Sequence, residues 1–264
     1  MKIILISVDA LRADSLGCYG YPRRTSPNID TIAGEGISFK NAYASANWTN
    51  PSFYSLITSL YPSVHGIRRH HQAPSAPLPT LPETLAENGY RSALFSNFFT
   101  LLDPERFGRH FQERHFFEID SQTEIVKEKL LSESFRDSFL LIHIGNYVHE
   151  PYCAPPESVN EFWPEDPGEK KEVIRLMSGG ENLSDESMRD VLRDINLRRC
   201  RLSSRDVSYL KARYDAGIKY VDGWLGAFYR FLKKDLKDDF ILIITSDHGQ
   251  GFLEHGFFGH GLNL

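Results

Sequence analysis

The sequence predicts an α/β fold built on a largely parallel sheet, and three observations carry that expectation. Three short apolar runs, "IILISV" from Ile3, "FLLIHI" from Phe139 and "FILIIT" from Phe240, have strand length and lack period-two alternation, as strands covered on both faces do. Segments with helical spacing and helix start and stop signals lie between them. Each run also leads within a few residues to a metal-competent side chain: Asp9 after the first, His149 beyond the second, Asp247 and His248 after the third.

The elements follow in order. After the strand at Ile3 comes "SPNIDTIAGEG", a helix with Pro27 in its first turn and glycines at its end. "NPSFYSLITSL" is the next, with Asn50 as cap, Pro51 as first helical residue, Thr49 just outside, and Phe53, Leu56, Ile57 and Leu60 on its buried face. "LPETLAENGY" reads as a third helix and "SALFS" from Ser92 as a fourth strand. Beyond the strand at Phe139, the segment from Pro155 to Arg201 mixes charge, Gly and Pro and reads as a surface insertion with short helices, a candidate lid. A helix from Ser204 to Lys233 carries Val207, Leu210, Tyr214, Ile218, Val221, Leu225, Phe228 and Leu232 as one apolar stripe and leads into the strand at Phe240.

With 264 residues, 41% of them hydrophobic and 25% charged, the chain is long enough for one large domain or two small ones, and one domain over residues 1–264 is the expectation. A net charge of -5 excludes a global electrostatic case for nucleic acid, and the basic cluster Arg68, Arg69, His70 and His71 reads as solvated surface. Cys18, Cys153 and Cys200 are an odd count without CxxC spacing, so neither a disulfide framework nor a zinc knuckle is expected. "MKIILISVDA" is too short an apolar run for a signal peptide, and no run approaches the ~20 apolar residues of a membrane helix. The expectation is a cytoplasmic protein.

In parallel α/β sheets the carboxyl ends of the strands converge on one edge, where ligands bind. Singly, an aspartate after a strand caps the next helix more often than it binds anything, and a lone histidine is more often structural. Together, Asp9, His149, Asp247 and His248 with the Thr49 hydroxyl are what a divalent cation site requires. Thr49 is not needed for capping. An alcohol is a poor nucleophile near neutral pH, but a cation lowers its pKa, and the adjacent helix start favours an incoming anion. That combination serves transfer of a phosphate or sulfate group.

The stretches "ISVDALRADSLGCYGYPRRTSPNIDTIAGEGISFKNAYA", "WTNPSFYSLITSLYPSVHG", "HEPY", "YDAGIKYVDGWLG" and "TSDHGQGFLEHGFFGHG" resemble, in order, the sulfatase branch of the alkaline phosphatase superfamily. The resemblance implies a three-layer αβα sandwich, a metal held by Asp9, Asp247 and His248 together with the nucleophile at Thr49, and His149 and His260 holding or protonating the transferred group. Relatives continue into a C-terminal subdomain past the point where "GHGLNL" ends, so a sheet edge left open is an expected route to a homo-oligomer.

Departures refine the expected chemistry. Where sulfatases carry Cys-x-Pro-Ser-Arg, this chain reads Thr49, Asn50, Pro51, Ser52, Phe53, so no formylglycine is expected and no arginine supports the nucleophile. The family's second aspartate after Asp9 is Ala10. Threonine as nucleophile resembles phosphodiesterase-type and phosphoethanolamine-transferase-type relatives. The reading is a hydrolase or transferase of phosphate or sulfate esters, phosphoesters favoured, using Zn, Mn, Mg or Ca on a small-molecule, glycan or lipid ester. Arg12 is a candidate to orient the anion, with a structural salt bridge as the alternative; Glu254 and His255 are read as supporting or surface groups and His65 as structural. A non-catalytic anion-binding or assembly protein and a true sulfuric ester hydrolase are the rival readings.

Overall fold

The apolar runs form the centre of a parallel sheet: β1 (Lys2–Val8), β2 (Arg91–Ser96), β3 (Glu113–Phe116), β4 (Ser138–Ile144) and β5 (Phe240–Thr245) are ordered β3-β2-β4-β1-β5, and every neighbouring pair is parallel. The computed structural model describes the chain except residues 70, 71, 73, 75, 166–176, 178–184 and 262–264. Part of the basic cluster (His70, His71), much of the expected insertion and the last three residues of "GHGLNL" therefore lie outside the described residues. The architecture is an α/β three-layer sandwich on a largely parallel central sheet. Two compact units divide the chain: Met1–Asp9, Tyr43–Gly145 and Ala227–His248 form the first; Ala10–Ala42, Asn146–Gly226 and Gly249–Leu264 the second.

In the first unit, register decides which side chains meet. Ser7 pairs with His143 on one side and with Thr245 on the other, and the β2–β4 register sets Ser96 opposite His143, one step beyond Phe95↔Ile142. Alternate residues of a strand share a face, so Ser96, His143 and Ser7 lie on one face, and Asp9 and Asp247 continue that face two residues past Ser7 and Thr245. Below this polar row the same face is apolar: Leu5, Leu94, Phe139 and Leu141 form one buried cluster with Phe53, Tyr54 and Ile57 of the helix Thr49–Thr58. Burying each such side chain stabilises by about 1.5–3 kcal/mol, which fixes that helix against β1, β2 and β4.

Two expectations change. Among the described residues β5 is an edge strand, not covered on both faces: Ile241 and Ile243 are each 43% exposed because the strand has one described neighbour and its odd-numbered residues lie beyond the cluster. The helix after Trp48 begins at Thr49 itself, and no side chain caps it. β3, "ERHF", is an edge strand of four residues with alternating exposure, too short and too charged to read as a strand.

In the second unit the helix Pro27–Glu35 starts at Pro27 as expected, and Asp222, fully buried on the helix Ser204–Phe231, accepts from the N–H groups of Asn28 (3.0 Å) and Ile29 (2.7 Å) and from Asn28 Nδ2 (2.8 Å). An acid from a distant helix thus supplies the cap that Ser26 does not. Within the region expected as an insertion, helices Pro156–Phe162 and Asp185–Asn196 are described. The long helix touches the backbone at Tyr147: a Cβ on Gly217 would stand 2.0 Å from the Tyr147 carbonyl oxygen. β6 (Gly251–Phe252) and β7 (Phe258–Gly259) form a short antiparallel pair.

Candidate functional site

At the carboxyl end of β1, where the chain leaves the sheet, Asp9 is 4% exposed; Asp247 and His248, two and three residues past β5, are each 2% exposed. Thr49, first residue of its helix, is 5% exposed. His248 Nε2 lies 3.3 Å from Asp9 Oδ1, 3.4 Å from Asp247 Oδ2 and 3.3 Å from Thr49 Oγ1. One ring nitrogen cannot serve three oxygens with one hydrogen. Four donors drawn from two carboxylates, an imidazole and a hydroxyl around one buried point form a set that a divalent cation accepts, since hard oxygen and nitrogen ligands suit Zn and Mn, and oxygens suit Mg and Ca. The residues therefore fit a divalent cation. Neighbouring bonds hold the donors: Ser52 Oγ donates to the Asp247 carbonyl (2.5 Å), and the His248 N–H donates to Asp247 Oδ1 (2.9 Å).

His143 is a part of this site that sequence reasoning missed. It is fully buried in β4, with Nε2 3.2 Å from Asp9 Oδ2 and Nδ1 2.8 Å from Ser96 Oγ. Phe53, in the register where sulfatases carry arginine, is fully buried and meets the His143 ring edge-on at 5.2 Å. The available signal was a polar residue inside "FLLIHI", one pleat below the strand's end.

His149 and His260 come together in the second unit. Their Nε2 atoms are 3.2 Å apart. His149 Nδ1 donates to the Glu150 carbonyl (2.6 Å), and His260 Nδ1 faces Gln250 Oε1 (3.1 Å) and Glu150 Oε1 (3.3 Å). Gln250 Nε2 donates to Glu150 Oε2 (2.6 Å) and lies 2.9 Å from the Tyr152 hydroxyl. Burial alone would raise the Glu150 carboxyl, but the His149 and His260 imidazoles and its hydrogen bonds hold it well below the usual carboxylate range. Glu150 is 4% exposed, and nothing in "HEPY" itself distinguishes a buried carboxylate from a solvated one.

Arg12 is committed within the second unit. Nε and Nη2 donate to Asp14 (2.8 and 2.6 Å), and Nη1 donates to the Gln250 carbonyl and to Glu254 (2.8 Å each). The structural alternative for Arg12 thus has the geometry, and Glu254 is its partner. His65 is buried, its Nδ1 accepts from the Ile67 N–H (3.1 Å) and its Nε2 meets Ser55 Oγ (3.1 Å), a closed structural set. Ala10 is buried with φ 59° and carries no carboxylate. The cysteines are unpaired, and none stands in the nucleophile register.

Comparison with known proteins finds relatives of the chain and of its fold. Among curated proteins, an arylsulfatase of Clostridium perfringens is 24% identical, over 99% of this chain and 65% of its own length. N-acetylgalactosamine-6-O-sulfatase of Bacteroides thetaiotaomicron is 43% identical over 23% of this chain and 12% of its own. The chain thus spans less than two thirds of the length of these relatives. Among solved structures, phosphonate monoester hydrolase of Agrobacterium radiobacter shares the fold at a TM-score of 0.71 and 19% identity, over 98% of this chain and 64% of that one. The C-terminal periplasmic domain of phosphoethanolamine transferase EptC from Campylobacter jejuni does so at 0.67 and 17%, over 99% and 73%.

The periplasmic origin of such domains overturns the expected cytoplasmic location. Unpaired cysteines and a short apolar N-terminal run did not carry that inference, because neither the sheet nor the donor cluster depends on the redox state of a compartment. No helix among the described residues is long and apolar enough to cross a membrane. The model of the family described as Sulfatase matches residues 2–263, nearly the whole chain, and the chain belongs to the sulfatase family.

Proposed function

We propose that this chain is a single catalytic domain that hydrolyses phosphate esters with the aid of a divalent cation, Thr49 serving as nucleophile. The observation that carries the reading is the position of Thr49 Oγ1, 3.3 Å from His248 Nε2 in the same cluster as Asp9 and Asp247. A cation held by Asp9, Thr49, Asp247 and His248 would make the threonine hydroxyl easier to ionise and offset charge building on the transferred group. Thr49 Oγ1 forms a bond to phosphorus as the ester P–O bond breaks, its own proton passing to water. The family resemblance assigns protonation of the departing alcohol oxygen to His149 or His260, and water then releases phosphate from Thr49.

Threonine in the formylglycine register favours phosphorus over sulfur, since that residue has no thiol to oxidise. Among the structural relatives, a phosphonate monoester hydrolase and a phosphoethanolamine transferase carry names of phosphorus chemistry, beside sulfatases at similar TM-scores, and the substrate we propose is a small-molecule, glycan or lipid ester. Release of p-nitrophenol from phosphate and sulfate esters by wild type and Thr49→Ala, with and without Zn, Mn, Mg or Ca, tests the reading. Turnover of sulfate esters alone would favour a true sulfatase.

A second reading is an anion-binding protein without turnover. Ala10 and the buried Phe53 favour it, because both take the place of charged groups that the family uses. Cation binding with no turnover of any ester would select it. For assembly, the outer edge of β5, with Ile241 and Ile243 exposed, is the surface we assign to pairing with a second copy.

A further inference from the structure

His143 sits between two fixed partners, and their hydrogen-bonding capacity determines where its proton lies. Ser96 is fully buried, and its Oγ accepts from the Phe98 N–H at 2.9 Å while lying 2.8 Å from His143 Nδ1. If Nδ1 carried the hydrogen and donated it to Ser96, the serine oxygen would accept twice and its own hydrogen would have no acceptor among the described residues. In the neutral ring, His143 Nε2 would then present a lone pair to Asp9 Oδ2 across 3.2 Å, two acceptors with no hydrogen between them. The opposite assignment satisfies every group: Phe98 N–H donates to Ser96, the Ser96 hydroxyl donates to Nδ1, and Nε2–H donates to Asp9.

The ring cannot easily turn away from this arrangement. Phe53 meets it edge-on at 5.2 Å and Phe98 lies at 6.2 Å. Asp9 is therefore held at Oδ2, while Oδ1 lies 3.3 Å from His248 Nε2 and faces the donor cluster. We propose that Ser96 and His143 are positioning residues that fix the orientation of the Asp9 carboxylate and thereby set the affinity of the Asp9–Thr49–Asp247–His248 cluster for a divalent cation. The inference rests on the cation reading above and goes beyond it, because neither residue is a ligand.

Supporting groups that orient ligands typically change metal affinity by 10- to 100-fold when removed. The test titrates metal-free full-length protein with Zn²⁺ against a chromophoric chelator, and with Co²⁺ followed by visible absorption. His143→Leu should weaken binding by about 10- to 100-fold. His143→Gln, whose amide nitrogen can reach the place of Nε2, should recover most of it. Ser96→Ala leaves Asp9 and the ring in place but releases the Nδ1 lone pair, and should weaken binding several-fold. Long-range ¹⁵N spectra of wild type should show His143 as the Nε2–H tautomer and of Ser96→Ala a mixture.

An Nδ1–H tautomer or an imidazolium in wild type overturns the proposal, as does wild-type affinity in Ser96→Ala with an unchanged tautomer, or affinity in His143→Gln as low as in His143→Leu. If His143→Leu binds as wild type does while Asp9→Asn binds nothing, the cation reading stands and the positioning role fails. If wild type binds neither Zn²⁺ nor Co²⁺, the cation reading fails and the proposal falls with it. His143→Gln and Ser96→Ala keep the test decisive where His143→Leu does not fold.

Discussion

His149 and His260 face each other through their Nε2 atoms at 3.2 Å while each Nδ1 is turned to an oxygen acceptor. Two neutral rings in those tautomers would oppose lone pairs, so one hydrogen between them is the arrangement that satisfies both. If the pair delivers that hydrogen to a leaving alcohol, His149→Asn and His260→Asn should slow alkyl phosphate esters by about 100- to 10,000-fold and p-nitrophenyl phosphate much less. A plot of log rate against leaving-group pKa checks this; the same slope in wild type and both variants would remove the pair from leaving-group departure.

Thr49→Ser should keep part of the activity, since it retains the hydroxyl and loses only the methyl that restrains its rotamer. Thr49→Ala should lose nearly all turnover and the phosphate adduct trapped at low pH. Intact-mass measurement of the acid-quenched reaction reports both. Undiminished turnover in Thr49→Ala would make Thr49 only the first residue of its helix.

Asp9→Asn and Asp247→Asn should each abolish metal uptake with little loss of helix content, because a neutral amide cannot offset the charge of a cation. Metal analysis after dialysis, beside circular dichroism, is the measurement. Full occupancy in both variants would move the cation elsewhere.

Asp222→Ala should destabilise the protein by about 2–4 kcal/mol, since it strips the acceptor from the Asn28 and Ile29 N–H groups and leaves them buried. Asp222→Asn should lose less. Urea unfolding midpoints rank the three proteins; equal midpoints would mean water replaces the cap.

Glu254 gives a pH dependence. Burial pushes its carboxyl up, but its own backbone N–H, the Phe252 N–H at 2.6 Å and the Arg12 guanidinium outweigh burial and carry it down to about 2. A folded value below the ordinary 4.5 means the folded state holds that proton more weakly, so the contribution to stability is complete above the ordinary value and is lost as pH falls toward about 2. Thermal unfolding from neutral to acid pH should show a shallower acid decline for Glu254→Gln than for wild type.

The sheet was legible wherever apolar residues dominated a short run, as in β1, β2 and β4. The same signal hid His143, because a polar residue inside such a run looks like noise until the register sets it level with Ser7 and Ser96. Asp9 and Asp247 were legible because equal offsets beyond paired strands bring residues together, and His248 follows Asp247 directly. Glu150 and the commitments of Arg12 were not, since they depend on loops whose partners lie far away in sequence, and no local pattern records such a meeting.

Gly217 shows how a position without a side chain can set where a histidine two residues from its contact sits. The carbonyl of Tyr147 lies against its Cα, and a methyl group there would have to displace the 147–149 segment by roughly 1 Å or more to reach ordinary contact distance. His149 ends that segment and would travel with it, out of register with its partner ring. Any side chain at position 217 therefore displaces the histidine's own stretch of backbone. Tuning the histidine's reach by design would begin on the helix, at an atom that never meets the substrate.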